Sequence, residues 1–263
     1  ADRTVKLWNL EGKLLQTLEG HEDWVNGIAF SRDGKTIASA SDDKTVKLWN
    51  LEGKLLQTLT GHEDWVYGIA FSRDGKTIAS ASKDKTVKLW NRQGKLLQTL
   101  KGHDDWVIGI AFSPDGETIA SASADTTVKL WNRQKQFLQS LNGDNGHKKA
   151  VWGIAFSPDE DGKTIATASA DRTVKLWNLE GKLLQTLNHK NWVYGIAFSP
   201  DGKTIATASA DKTVKLWNRQ GQLLQTLNHE YWVYGVAFSP DEDGKTIATA
   251  GADKTVKLWN RQG

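Results

Sequence analysis

Serine, histidine and aspartate recur together along this chain, and these are the three side chains of a nucleophilic triad. In the first repeat unit they are His21, Ser39 and Asp43. In a catalytic triad the imidazole takes the proton of the hydroxyl, and the carboxylate orients the imidazole. The residue types therefore raise the hypothesis of a hydrolase.

The repetition of this set argues against catalysis. All six histidines of the chain occupy the same position of a repeat unit, so none is left for a special role. Threonine replaces serine in half of the units, which a nucleophile would rarely tolerate. A catalytic site needs one set of residues placed in a cleft, rather than six equivalent copies. We therefore predict that the protein is not an enzyme and has no catalytic residues.

The cysteine and histidine content bears on metals and cofactors. The chain has no cysteine, so disulfides, thiolate catalysis and cysteine-based metal sites are excluded. One histidine per unit keeps the remaining metal ligands apart. We expect no metal and no cofactor.

The composition is that of an ordinary soluble protein. Of 263 residues, 25% are charged and 38% are hydrophobic, and the net charge is +3 with no run of five like charges. This balance argues against a nucleic-acid partner. No apolar run approaches the roughly 18 residues of a membrane span, so we expect no membrane partner and a cytoplasmic location. The absence of methionine suggests a processed, trimmed or engineered product.

The elements that position these residues come from one hexapeptide, Thr-Val-Lys-Leu-Trp-Asn, which occurs seven times. Its tryptophans are Trp8, Trp49, Trp90, Trp131, Trp177, Trp217 and Trp259, at spacings of 41, 41, 41, 46, 40 and 42 residues. Such a period with one marked tryptophan is typical of a radial β-repeat.

Each period contains four predicted strands, which we letter d, a, b and c in chain order. In the first unit they are residues 14–18, 24–30, 36–41 and 45–49, with an Asp-Gly hairpin turn between a and b. The alternation of polar and apolar residues in strand c buries one face. Two insertions, at 142–146 and 159–161, fall at turns. Four antiparallel strands per period match one propeller blade, so the fold class is all-β.

Across essentially its whole length the chain resembles the WD40 family. In that family Gly-His precedes strand a and Trp-Asp closes strand c. Here Gly-His occurs at 20–21, 61–62, 102–103 and 146–147, Asn-His occurs at 188–189 and 228–229, and Trp-Asn replaces every Trp-Asp. The resemblance implies a single WD40 β-propeller domain over residues 1–263. The near-identity of the units resembles recently amplified bacterial arrays, and consensus engineering would give the same pattern.

The resemblance also implies a structural hydrogen-bond relay of His, Ser or Thr, Asp and Trp in each unit. Carried over by position, the relay residues are His21, Ser39, Asp43 and Trp49; His62, Ser80, Asp84 and Trp90; His103, Ser121, Asp125 and Trp131; His147, Thr167, Asp171 and Trp177; His189, Thr207, Asp211 and Trp217; and His229, Thr249, Asp253 and Trp259. Satisfying buried polar groups is the physical reason for such a relay.

Partner binding in the family is mostly on the top face, around the start of strand a. The positions three residues after each histidine are Trp24, Trp65, Trp106, Ala150, Trp192 and Trp232. The positions five residues after it are Asn26, Tyr67, Ile108, Trp152, Tyr194 and Tyr234. Exposed aromatic side chains suit an interaction hot spot. The alternative is that the first series packs between neighbouring blades, which leaves the more variable second series as the better recognition candidate.

The strand count leaves the closure of the propeller open. Strand c occurs seven times and the others six times each, which gives 25 strands, one more than six blades need. Residues 14–18 would pair with either 4–8 or 255–259. We favour a six-unit ring, and the alternatives are a seven-bladed ring that lacks three strands and exchange of terminal strands between chains.

Three functions follow as hypotheses. The leading one is a non-catalytic scaffold whose top face binds a protein or peptide. The second is a structural or engineered repeat protein without an evolved ligand. The third is weak nucleic-acid binding through lysines and aromatic stacking, which requires strong salt dependence.

Overall fold

The computed structural model describes residues 2–134, 137–158, 163–241 and 244–261, and within these ranges it consists of 25 β-strands without a helix. The all-β fold class is therefore confirmed. The insertion at 159–161 lies outside the described residues. In the part of the chain that is described, there is no helix long and apolar enough to cross a membrane.

The strands form seven antiparallel sheets, which we name the N-terminal sheet and sheets I to VI. The N-terminal sheet contains β1 (Val5–Trp8) and β2 (Leu14–Leu18). Sheet I contains β3 (Val25–Phe30), β4 (Thr36–Ser41), β5 (Val46–Asn50) and β6 (Leu55–Leu59). Sheet II contains β7 (Val66–Phe71), β8 (Thr77–Ser82), β9 (Thr86–Asn91) and β10 (Leu96–Lys101). Sheet III contains β11 (Val107–Phe112), β12 (Thr118–Ser123), β13 (Val128–Asn132) and β14 (Phe137–Leu141).

The later repeats give three further sheets. Sheet IV contains β15 (Val151–Phe156), β16 (Thr164–Ser169), β17 (Thr173–Asn178) and β18 (Leu183–Asn188). Sheet V contains β19 (Val193–Phe198), β20 (Thr204–Ser209), β21 (Thr213–Asn218) and β22 (Leu223–Asn228). Sheet VI contains β23 (Val233–Phe238), β24 (Thr246–Gly251) and β25 (Val256–Asn260). The predicted strands a to d of the first unit agree with β3, β4, β5 and β2 to within one residue.

Side chains at the turns hold the strands in register. In the turn between β3 and β4, the Ser31 hydroxyl accepts the N–H of Thr36 at 2.9 Å, and Gly34 takes a positive φ of 67°. In the turn between β4 and β5, Lys44 has a φ of 67°. The Asp43 carboxylate accepts the N–H and the hydroxyl of Thr45 there, at 3.0 and 2.6 Å. Asp therefore fixes the turn that follows strand b.

The core lies between neighbouring sheets and not within one. The small residues of strand b allow the next sheet to approach closely, as at Ala166 and Ala168, which are completely buried. These two residues pack with Val193, Ile205 and Trp217 of sheet V. A single sheet cannot bury its own apolar face, so each blade depends on its neighbours.

The chain divides into two compact units. Unit 1 comprises residues 1–112, 116–121 and 131–136, and unit 2 comprises residues 113–115, 122–130 and 137–263. Unit 1 therefore contains the N-terminal sheet and sheets I and II, unit 2 contains sheets IV to VI, and the residues of sheet III are divided between them. That the whole chain is one domain stays a prediction.

The extra strand c has a defined partner. In the described residues, β1 pairs with β2 in a sheet of its own, with Val5 opposite Leu18. The same register joins Val46 to Leu59 in sheet I. Of the two pairings open to residues 14–18, the structure shows the one with residues 4–8. Within the described ranges, sheet VI accordingly has three strands, and the other numbered sheets have four.

Candidate functional site

The candidate aromatic surface is built on the first strands of adjacent blades. Gly153 and Gly195 allow these strands to approach closely, because a Cβ atom on Gly153 would lie 2.8 Å from the carbonyl oxygen of Tyr194. A Cβ on Gly195 would lie 2.9 Å from the carbonyl oxygen of Tyr234. Glycine in a strand marks such a close approach. The residue that precedes each glycine is therefore carried close to its counterpart on the next blade.

In unit 2 these positions form a row of three rings. The centroids of Trp152 and Tyr194 are 5.8 Å apart, and those of Tyr194 and Tyr234 are 5.2 Å apart. Trp192 lies beside the row, with its ring centroid 6.4 Å from that of Tyr194. Trp192, Trp232 and Tyr234 are 41%, 47% and 49% exposed. Tyr234 and the two tryptophans are therefore open to solvent, whereas Trp152 and Tyr194 are half-buried. We call Trp152, Tyr194 and Tyr234, which lie on three blades, the unit 2 aromatic row.

In unit 1 the corresponding rings are covered by a lysine of the same chain. Tyr67 stacks on Trp106 at 6.1 Å. The Nζ atom of Lys83 lies 3.9 Å from the ring centroid of Trp65 and 5.0 Å from that of Trp106. Such cation–π contacts hold an ammonium group over an aromatic face. Burial, with the nearby carboxylates of Asp42 and Asp64, raises the pKa of Tyr67 to about 12.

Lys83 was not among the predicted site residues. Its counterparts in the other units are Asp42, Ala124, Ala170, Ala210 and Ala252. This variation at an otherwise repetitive position was the available signal, and only the structure shows that the side chain reaches two indole rings. In the fifth unit, Ala210 leaves the position beside Trp192 without a cation.

The remaining candidates lie in unit 1 with different surroundings. Trp24 is 56% exposed. The amide of Asn26 donates to the Asp42 carboxylate at 2.7 Å and to the Val66 carbonyl at 3.1 Å. Ile108 is half-buried. Trp106 is 38% exposed while it stacks on Tyr67 of the preceding blade, so packing between blades and exposure occur together there. Trp65 is 37% exposed and contacts Tyr67 and Lys83 of its own blade.

A buried polar network joins a tryptophan, a hydroxyl, a histidine and an aspartate within one repeat. In sheet V the Trp217 indole N–H donates to the Thr207 hydroxyl at 2.9 Å. That hydroxyl lies 2.8 Å from Nε2 of His189, and Nδ1 of His189 lies 2.9 Å from the Asp211 carboxylate. Because the carboxylate can only accept, Nδ1 carries the proton and Nε2 accepts from the hydroxyl.

The electrostatics of the network favour this neutral imidazole. Burial lowers the pKa of His189, and hydrogen bonding to Asp211 opposes that shift. Burial alone would raise the pKa of Asp211, but hydrogen bonds from His189 and Thr213 outweigh it and hold that pKa well below its usual range. The carboxylate is therefore ionised at neutral pH.

The same links occur in the preceding units. In the first, second and fourth repeats the His–Asp distances are 2.6, 2.6 and 2.8 Å. The hydroxyl–imidazole distances in the same repeats are 2.7, 2.7 and 2.8 Å. In unit three, His103 and Trp131 both bond to Ser121 at 2.8 Å. Ser39, Ser80, Ser121, Thr167 and Thr207 are fully buried. These hydroxyls already bond to an indole, so a substrate carbonyl has no access to them.

The sixth relay is a correction to the sequence prediction. Neither ring nitrogen of His229 has a hydrogen-bond partner, although the Trp259 indole still donates to Thr249 at 2.9 Å. The His229 ring lies 5.2 Å from the Trp259 ring, whereas the separation in sheet V is 5.9 Å. Asp253 keeps the bond from Thr255, as Asp211 keeps that from Thr213, and its carboxylate lies 3.7 Å from Nζ of Lys257. Sheet VI has three strands and a more exposed strand c, so its polar groups are less constrained.

Metal binding has no support in the described ranges, where no group of three or more histidine, cysteine, aspartate or glutamate side chains is arranged to hold an ion.

The repeats and the buried network define a class of protein. The family model described as "WD domain, G-beta repeat" matches residues 12–50, 53–91, 94–132, 135–178, 181–218 and 221–260. These segments cover well over half of the chain, so the chain belongs to the WD40 family of β-propeller proteins. Proteins of this family generally act as scaffolds for protein interactions.

Individual relatives match over single repeats. The chain is 50% identical over 42 residues to the nuclear distribution protein nudF of Emericella nidulans, which is 16% of this chain and 10% of that protein. It is also 50% identical over 42 residues to the nuclear distribution protein PAC1 of Tuber melanosporum, which is 16% of this chain and 9% of that protein. The matched segment spans about a tenth of the length of these relatives.

Proposed function

We propose that this protein is a non-catalytic interaction scaffold, and that the unit 2 aromatic row binds a peptide segment of a partner protein. The observation that carries the proposal is the row Trp152, Tyr194 and Tyr234, with ring centroids 5.8 and 5.2 Å apart and flanking tryptophans nearly half exposed. Large rigid rings provide contact area at a low cost in side-chain entropy.

The contrast between the two aromatic clusters supports the choice of unit 2. In unit 1 the ammonium group of Lys83 already lies over Trp65 and next to Trp106. A ligand there would have to displace this lysine and its contact with Asp64, 3.8 Å away. In unit 2 the corresponding residue is Ala210, so no lysine at this position covers the exposed ring of Trp192.

The surroundings of the row indicate how a partner would be oriented. Lys148, Lys149 and Lys190 follow the histidines of units four and five, where units one to three have acidic residues. Basic residues around an aromatic centre suit a peptide with an apolar anchor and acidic flanks. The absence of cysteine suits the reducing cytoplasm, where we expect this interaction to occur.

Selection from a random peptide library displayed on phage would test the proposal. Enriched peptides would be synthesised, and their affinity for the wild type and for a Tyr194→Ala/Tyr234→Ala variant would be measured by fluorescence anisotropy. Removing two central rings should weaken binding by about tenfold or more. The control is Leu184→Ala/Leu224→Ala, which removes two similarly exposed side chains from strands β18 and β22 and should leave affinity unchanged.

Two results would count against the proposal. If no peptide is enriched, the alternative of a repeat protein without an evolved ligand is favoured. If enriched peptides bind the tyrosine variant as tightly as the wild type, the aromatic row is not the binding surface. Far-UV circular dichroism of each variant excludes unfolding as the cause of lost binding.

A further inference from the structure

A basic groove in the fourth repeat contains Lys148 and Lys149, which the proposed function already assigns to the acidic flank of a bound peptide, so its role rests on that function. It is an open cavity of about 440 Å³, and four cationic side chains line it, from Lys148, Lys149, Arg172 and Lys175. One carboxylate, that of Asp171, lines the same cavity. From these residues we propose that the groove binds an acidic peptide segment, whose successive carboxylates contact the four cations.

The carboxylate in the groove accepts hydrogen bonds from three groups of its own repeat. Asp171 accepts hydrogen bonds from His147 at 2.8 Å, from the backbone N–H of Lys148 at 3.0 Å and from the Thr173 hydroxyl at 2.6 Å. Its side chain is only 10% exposed. It is a single negative charge among four cationic side chains, so most of the positive charge in the groove is uncompensated.

The lysines bond to neutral acceptors. Nζ of Lys148 donates to the backbone carbonyls of Gly143 and Asp144, at 3.3 and 3.2 Å. Nζ of Lys175 donates to the carbonyl of Asn145 at 2.7 Å. Burial and the neighbouring charge of Lys148 lower the pKa of Lys175, partly offset by Asp171. The carbonyl contacts position the ammonium groups but leave their charges without an anionic partner among the described residues.

The insertion at 142–146 gives this groove its wall. The first two units connect strand d to the histidine through Glu19-Gly20 and Thr60-Gly61, whereas the fourth unit has the longer segment 142–146. The three carbonyls that hold the lysines belong to this insertion. On the opposite side, Arg172 is exposed and has a φ of 73° in the turn after strand b. The insertion thus has a local structural role, which loop tolerance alone does not predict.

The second repeat contains a groove at the equivalent position, which can be compared with that of the fourth repeat. The equivalent groove, of about 380 Å³, is lined by Lys85, Lys88 and Lys101 together with Glu63 and Asp84. Glu63 stands where the fourth unit has Lys148, and Asp64 stands where it has Lys149. The same backbone contact occurs in both repeats. The N–H of Glu63 donates to the Asp84 carboxylate at 3.1 Å, and the N–H of Lys148 donates to the Asp171 carboxylate at 3.0 Å. The two grooves therefore share this backbone contact and differ in charge and in the insertion, which only the fourth repeat has.

This comparison supplies a variant that preserves the fold. Lys148→Glu/Lys149→Asp gives the fourth unit the two residues that the second unit already carries at these positions. The probe is a fluorescein-labelled hexaglutamate peptide, with hexaglutamine as the uncharged reference, and binding is measured by anisotropy at low ionic strength, where screening is weak. Loss of two attractive pairs and gain of two repulsive ones should weaken binding by about tenfold or more.

The reciprocal variant and a competitor complete the experiment. Glu63→Lys/Asp64→Lys should add a second binding equivalent in unit two, and Tyr194→Ala/Tyr234→Ala should leave hexaglutamate binding unchanged. The proposal is overturned if hexaglutamate binds no better than hexaglutamine, or if Lys148→Glu/Lys149→Asp binds as the wild type does. Displacement of the peptide by millimolar inorganic phosphate would also overturn it, because the groove would then hold a single oxyanion and not a peptide.

Discussion

Sheets V and VI have almost the same sequence and lie in the same compact unit, yet they differ in burial. Val214 and Leu216 of β21 are 0% and 2% exposed, whereas Val256 and Leu258 of β25 are 63% and 46% exposed. Strand β21 pairs with β22 on one side and β20 on the other, while in the described residues β25 pairs with β24 alone. Identical residues are core in one sheet and surface in the other.

The buried network follows the same division. Sheet V has the complete chain from Trp217 to Asp211, whereas sheet VI keeps the indole–hydroxyl bond and loses both bonds of the imidazole. The comparison teaches that the bond between indole and hydroxyl is local to one sheet. The histidine, by contrast, loses both of its bonds in sheet VI although its ring nitrogens are buried there, so burial by itself does not hold it in the network.

The largest expected effect concerns the tryptophans. Trp217→Ala removes a buried ring and should cost about 3–5 kcal/mol of unfolding free energy, and Trp259→Ala, at a half-buried position, should cost less than about 2 kcal/mol. Urea unfolding followed by circular dichroism measures both. Equal losses would show that sheet VI is packed as tightly as sheet V in solution.

The hydroxyls should give a smaller difference. Thr207→Val leaves the Trp217 indole and Nε2 of His189 without a partner, at a cost of about 1–3 kcal/mol. Thr249→Val deprives only the Trp259 indole, which is less buried, so its destabilisation should be clearly smaller. The same unfolding assay applies. A Thr249→Val loss as large as that of Thr207→Val would mean that His229 does bond to Thr249.

Protonation of histidine should give the smallest effect at each site. Burial lowers the pKa of His189 in the folded protein. Below about pH 6.5 the unfolded chain therefore binds more protons than the folded protein, and the free energy of unfolding decreases as the pH is lowered. At pH 6 the loss from His189 stays below about 1 kcal/mol, because this residue is only partly protonated in the unfolded chain. Urea midpoints at pH 8, 7 and 6 test this. A midpoint that is constant or rises towards pH 6 would contradict the neutral imidazole, and His189→Gln should reduce the decline.

Much of the fold and of the network was predictable because both are local and repeated. The spacing of the tryptophans predicted the blades, and the hydrogen bonds of sheets I, II, IV and V join the residues that the family resemblance implied. The loss at His229 has a signal in its own repeat, because Gly251 stands where the other repeats have a serine. In sheet V the hydroxyl of that serine, Ser209, accepts the N–H of the relay aspartate Asp211 at 3.0 Å. Lys83 and the groove of Lys148 and Lys175 depend on side chains that meet across turns, where repetition gives no guidance.

The sequence by itself determined the strand pattern, the turns and the residues of each buried network, because hydrophobic alternation and turn chemistry act within a few residues. Only the tertiary structure decided which copies are buried, which aromatic rings stay open and where positive charge is left uncompensated. These properties depend on the neighbours of each blade, and identical repeats acquire different neighbours by their place in the chain.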